Sequence, residues 1–138
     1  MAEPLTSQEW VAAWLRKAGH DLETAQRALH AGQHITDTAA YHCHQAAEKA
    51  LKAYLASRFQ PLVKTHDLMD LLTRCANADA RFADWADRMS ELSAFGTVLR
   101  YPSLDADPTV SDVSRALQTA QQFHGFVSAI VGDQSPIQ

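Results

Sequence analysis

The chain has 138 residues, 46% of them hydrophobic and 20% charged, enough for one compact domain with an ordinary core. Its formal net charge of −4 creates no global field for a polyanion, so any anion binding must come from a local cluster. No apolar run approaches the roughly 20 residues that span a bilayer, and Met1-Ala2-Glu3-Pro4 lacks the basic-then-apolar start of a secretory signal.

Helical patterns follow one another along the chain. Thr6 with Glu9 makes a capping-box pattern ahead of Trp10. Val11, Leu15, Ala18, Leu22, Ala25 and Leu29 then form one helical seam, which Gly32 is placed to end. Trp10 and Trp14 share a face of this helix, and core packing is their default role ahead of a contact across a dimer. A second helix is predicted from Thr36 to Phe59, stopped by Pro61. A third starts at Thr65, capped by that threonine, and buries Leu68, Leu71, Leu72 and Cys75.

Beyond the polar link 77–80, Phe82, Trp85, Met89 and Leu92 recur at helical spacing, and Phe95, Val98 and Leu99 extend the apolar character. Pro102, Pro108 and two aspartates make residues 100–108 a loop. Thr109 and Asp112 then open a last helix carrying Val110, Val113, Leu117, Ala120, Val127 and Val131, with His124 on the same seam and a frayed tail from Ser135. Strand-like alternation and internal repeats do not appear. The fold class expected is all-α, an up-and-down antiparallel bundle of four to five helices forming one domain over residues 1–138, with its core at about 8–131.

The second helix carries the most informative pattern. Tyr41, Gln45, Glu48 and Lys52 fall on one narrow stripe, while Ala39, Ala40, Cys43, Ala46, Ala47, Ala50, Leu51 and Tyr54 cover most of the opposite side. A helix so rich in alanine is built for close approach by neighbours, which leaves the polar stripe partly enclosed. Enclosed charge is costly unless paired or useful. The bland alternative is a solvated face with an ordinary Glu48–Lys52 pair one turn apart, and Lys49 beside it. Two further segments stand at element boundaries. In Thr65-His66-Asp67-Leu68, capping accounts for Thr65 and leaves Asp67 in a first turn, but it does not account for His66. In Arg100-Tyr101-Pro102, the arginine suits a helix end, yet Arg and Tyr also offer a guanidinium fork for phosphate and a ring for stacking a base.

Common catalytic and metal signatures are missing. His42 and His44 point about 200° apart on a helix, and Gly32 separates His30 from His34, so no metal is expected. The five glycines are isolated, which excludes phosphate-binding loops of the common types, and no cofactor is expected. Cys43 and Cys75 lie within helical patterns and read as small buried hydrophobes in a reducing cytoplasm.

Taken in order, Trp14-Leu15-x-x-Ala18-x-x-Asp21-Leu22-x-x-Ala25, Tyr41-His42-x-x-Gln45-Ala-Ala-Glu48-Lys49-Ala-x-Lys52-Ala-Tyr54-Leu, Thr65-His66-Asp67-Leu68 and Arg100-Tyr101-Pro102 resemble the HEPN family, the higher eukaryotes and prokaryotes nucleotide-binding domain. The resemblance covers residues 8 to 130 and implies a helical bundle that pairs as a homodimer. It also implies a partnership with a minimal nucleotidyltransferase, in some cases as a toxin–antitoxin pair. Some members bind nucleotides; others are metal-independent ribonucleases. The ribonuclease branch carries an arginine, four to six residues and a histidine near the start of the last helix. Here Arg100 is followed by no histidine before His124, and Arg27 to His34 is a chance match across a helix end. That departure counts against RNA cleavage by the family mechanism.

The leading expectation is therefore a non-catalytic module that binds a nucleotide or other phosphate-bearing ligand, without a membrane. Its candidate ligand-binding residues are Gln45, Glu48, Lys49, Lys52, His66, Asp67, Arg100 and Tyr101, with Arg100 forking onto phosphate and Lys52 as a point charge. The alternatives are a ribonuclease with an altered site acting on RNA, and a purely structural subunit for dimerisation and partner docking.

Overall fold

A computed structural model describes residues 3–30, 32–97 and 106–133. Among them all regular structure is helical: α1 (Ser7–Leu29), α2 (Thr36–Ser57), α3 (Leu68–Ala78), a 3-10 segment (Ala80–Trp85), α4 (Ala86–Ser93) and α5 (Val110–Asp133). The expected all-α bundle is therefore present with five helices.

The first helix begins as its cap dictates. Thr6 Oγ1 accepts from the Glu9 amide at 3.1 Å, and the Glu9 carboxylate reaches back to Thr6, which completes the capping box. α1 and α2 form an antiparallel hairpin. Its closed end is held by the Ile35 amide on the Ala28 carbonyl, and its open end by the Ser7 hydroxyl on the Ala56 carbonyl at 2.8 Å. α5 lies against both helices, while α3 and α4 pack on α2, and the 3-10 segment packs on α3 and α4. At the α1–α5 contact, the His124 imidazole bonds the Leu15 carbonyl.

Alanine makes this arrangement possible. Ala39, Ala40, Ala46, Ala47, Ala50, Ala53 and Ala56 are all at most 1% exposed, so α2 is approached closely from several directions. A second core is aromatic. Phe82 stands 4.5 Å from the Tyr54 ring and 5.1 Å from that of Phe126, while Trp85 lies 4.9 Å from Phe123. These tilted and edge-on pairs bind the 3-10 segment to α2 and α5.

Three boundaries differ from the sequence expectation. α2 stops at Ser57, not Phe59, because the chain closes in a Schellman motif. The Gln60 amide bonds the Leu55 carbonyl, the Phe59 amide bonds that of Ala56, and Phe59 takes φ 66°. Glycine normally marks that left-handed position, and here a phenylalanine fills it. α3 starts at Leu68, not Thr65: the Asp67 carboxylate accepts from the Met69 and Asp70 amides at 2.9 and 3.2 Å and is the true N-cap. Residues 80–85 form a 3-10 turn. It is opened by Asp79, whose carboxyl is held below its ordinary value by the Arg81 side chain and amide. The Thr109 cap on the Asp112 amide is as expected, whereas Val98, Leu99, most of the 100–108 loop and the tail lie outside the described residues.

Both cysteines are buried as expected, and burial pushes each thiol up to about 12. Cys75 also donates to the Leu51 carbonyl at 3.6 Å. Native protein at pH 8 is accordingly expected to resist iodoacetamide at both thiols, with rapid double labelling only after unfolding. Mass spectrometry of native and urea-treated samples checks this, and native labelling would contradict the packing.

Candidate functional site

The α2 stripe is enclosed, and its charges are paired. Glu48 and Lys52 are each only 4% exposed, with Lys52 Nζ 3.1 Å from Glu48 Oε2. The same carboxylate oxygen receives His66 Nδ1 at 2.8 Å, from the connector that leads into α3. The Lys52 ammonium also lies 5.6 Å from the centre of the Trp14 ring, whose indole N–H donates to the Pro61 carbonyl. Trp14 is thus a part-buried wall behind the ion pair, while Trp10 is half-exposed on the same helix. Glu48 Oε1 is sealed from solvent and has no hydrogen-bond partner among the described residues.

A cavity of about 270 Å3 adjoins this carboxylate. It is lined by His44, Gln45 and Glu48 from α2, His66 and Asp67 from the connector, and Ser93, Gly96 and Thr97 from the end of α4 and the turn beyond. Four sequence-predicted residues, Gln45, Glu48, His66 and Asp67, therefore come together. His44 Nδ1 sits 3.1 Å from Gln45 Oε1, so the imidazole donates and both amide hydrogens of Gln45 remain for other acceptors. Asp67 spends one oxygen on the α3 cap.

Lys49 does not join this group. Its ammonium lies 2.6 Å from Asp21 Oδ2 on α1, and the other Asp21 oxygen takes His42 Nδ1 at 2.8 Å. The buried Asp21 thus gathers a separate α1–α2 cluster, with Tyr41 edge-on to the His42 ring. The opposed directions of His42 and His44 on the helix decide this split: one imidazole meets Asp21, the other meets the cavity. Lys52 is next to the cavity but committed to Glu48. Arg100 and Tyr101 lie outside the described residues. Among the described residues no three His, Cys, Asp or Glu side chains converge as a metal site would need.

Sequence reasoning missed His44, Ser93, Gly96, Thr97 and Asp21 as site residues. The signal for His44 lies 52 residues away, in Gly96. A Cβ at position 96 would fall 2.8 Å from His44 Nε2 and 3.2 Å from Cδ2. The turn beyond α4 thus lies so close to the buried imidazole that any Cβ at position 96 would require the ring to shift. Gly96→Ala is expected to cost about 1–3 kcal/mol through overpacking, and a second change, His44→Ala, should relieve it. Thermal melts of the single and double variants check this; a wild-type melting temperature for Gly96→Ala would rule out the close approach.

A second cavity of about 280 Å3, between α4 and α5, contains none of the predicted residues that the structure describes. Its Arg115 pairs with Glu91 and Asp112, while Arg88 lies over the Trp85 ring and donates to Gln122. No described helix is long and apolar enough to cross a membrane.

Comparison with known proteins agrees with this architecture. The chain is similar to the crystal structure of an archaeal HEPN homologue, with a TM-score of 0.64 and 24% sequence identity over 88% of this chain and 97% of the other. At that identity the likeness speaks for the fold. Among curated proteins there is no match. The model of the HEPN domain matches residues 11–130. A family match of that extent, on a bundle of the corresponding shape, makes this chain a member of the HEPN family.

Proposed function

We propose that the chain is a single-domain, non-catalytic nucleotide-binding HEPN module that works as a homodimer beside a minimal nucleotidyltransferase, within a toxin–antitoxin-like pair. The observation that carries this reading is the convergence of Gln45, Glu48, His66 and Asp67 on one cavity, together with His44. Three segments far apart in sequence supply acceptors, donors and two imidazoles to a space of about 270 Å3, large enough for a base or a sugar. Arg100 and Tyr101, four and five residues beyond Gly96, supply the guanidinium and ring that would meet phosphate and base.

Calorimetry with AMP and ATP tests the proposal. Micromolar to sub-millimolar binding is expected, weakened at least tenfold in His66→Ala. Absence of heat at millimolar nucleotide would leave the structural-subunit reading in its place. Sedimentation with and without the co-expressed nucleotidyltransferase tests the dimer and the partnership.

One observation favours a second reading, an altered ribonuclease site. His44 and His66 line the same cavity, and His66 is held by a carboxylate, an arrangement suited to acid–base work on a 2′-hydroxyl. It requires metal-independent RNA cleavage that is lost in His66→Ala. Intact RNA after prolonged incubation with wild-type protein removes it.

A further inference from the structure

The cations and the carboxylates of this site are not equally available. Lys52 is buried against Glu48 and the Trp14 ring, and Lys49 is engaged by Asp21. Neither ammonium is left over for a phosphate without abandoning a carboxylate. Among the described residues the unsatisfied buried group is an acceptor: Glu48 Oε1, on a side chain more than nine-tenths buried that lines the cavity, has no partner there, while Oε2 holds both Lys52 and His66. Its neighbour one turn back, Gln45, has amide hydrogens to spare. Among the described residues the cavity therefore offers Glu48 Oε1 to a ligand N–H or O–H and the Gln45 amide to a ligand acceptor, with no uncommitted ammonium for a phosphate.

We infer that the cavity receives the nucleoside end of its ligand, with an N–H or O–H donated to Glu48 Oε1, and that the phosphates stay outside it. This deepens the nucleotide-binding reading and rests on it. The donor is either a ribose hydroxyl or an exocyclic amino group of the base, both of which carboxylates accept readily. Access runs past His66, whose side chain is 66% exposed while those of Glu48 and Lys52 are each 5% exposed. The imidazole is the cover of the site. It keeps its bond to Oε2 while the donor takes Oε1, and Lys52 keeps the charge of Glu48 balanced throughout.

The orientation makes nucleosides sufficient ligands. Adenosine is expected to bind the wild-type chain within about tenfold of AMP, and pyrophosphate at the same concentration should not displace it. Two analogues locate the donor without altering the protein: 2′-deoxyadenosine lacks the sugar hydroxyl, and purine riboside lacks the amino group. Loss of the group that Glu48 receives should weaken binding by at least tenfold, and Glu48→Gln should erase that difference between adenosine and the affected analogue. The inference is overturned if AMP binds but adenosine does not, if pyrophosphate displaces adenosine, or if both analogues bind as well as adenosine. If neither AMP nor adenosine binds, the nucleotide-binding reading itself fails, a result distinct from any of these.

Discussion

Lys52→Met is expected to destabilise the protein by about 3–5 kcal/mol, because it leaves the Glu48 carboxylate buried with one remaining donor. Both members of the pair are 4% exposed, so water cannot replace the ammonium, and His66 alone must serve the charge. The fall in Tm should be about 10–20 °C for a chain of this size. The double change Glu48→Leu with Lys52→Met removes the charge instead of stranding it. Such replacements of buried pairs are often neutral or stabilising, so the double variant should recover most of the loss. Denaturant titration of the four proteins in the cycle decides the matter. Equal stability of Lys52→Met and the double variant would mean that the pair is not enclosed. Recovery of the fold without recovery of ligand binding would separate the two roles of Glu48.

The second large effect is expected at Phe82. This ring is fully buried, touches Tyr54, Phe123 and Phe126, and belongs to the 3-10 segment that ties α4 to the bundle. Phe82→Ala should cost about 3–5 kcal/mol, the usual range for removing a buried aromatic ring. The urea midpoint should drop with little change in slope if the fold survives. Because Ser93 ends α4 and Gly96 and Thr97 follow it, this distant change should also weaken ligand binding at temperatures where the protein remains folded. Unchanged stability would mean that the aromatic cluster is not a core.

The local signals were read where a residue type has one physical meaning. The Thr6–Glu9 box, the alanine faces of α2 and the Thr109 cap stand where the pattern placed them. Phe59 hid the end of α2 because a left-handed position filled by phenylalanine carries no marker in sequence. Asp67 displaced Thr65 as the cap because both are competent acceptors, and only the path of the connector chooses between them. For the site, the residues of the stripe that reach the cavity lining are Gln45 and Glu48, and the unexplained His66 is a partner of Glu48. Lys49 was misplaced because its partner, Asp21, sits on another helix and pairing across helices has no spacing rule. The ordinary Glu48–Lys52 pair, offered as the bland alternative, is real, but it is buried instead of solvated.

The slenderness of α2 has a consequence for how this protein can change. Side chains of one carbon line its flanks, so almost any enlargement there would wedge neighbouring helices apart. Laboratory evolution toward a new ligand will thus find few permitted steps along that rod. Tolerated novelty should accumulate instead in the connector carrying His66 and in the turn that carries Ser93 and Thr97, which face the same hollow from less crowded ground.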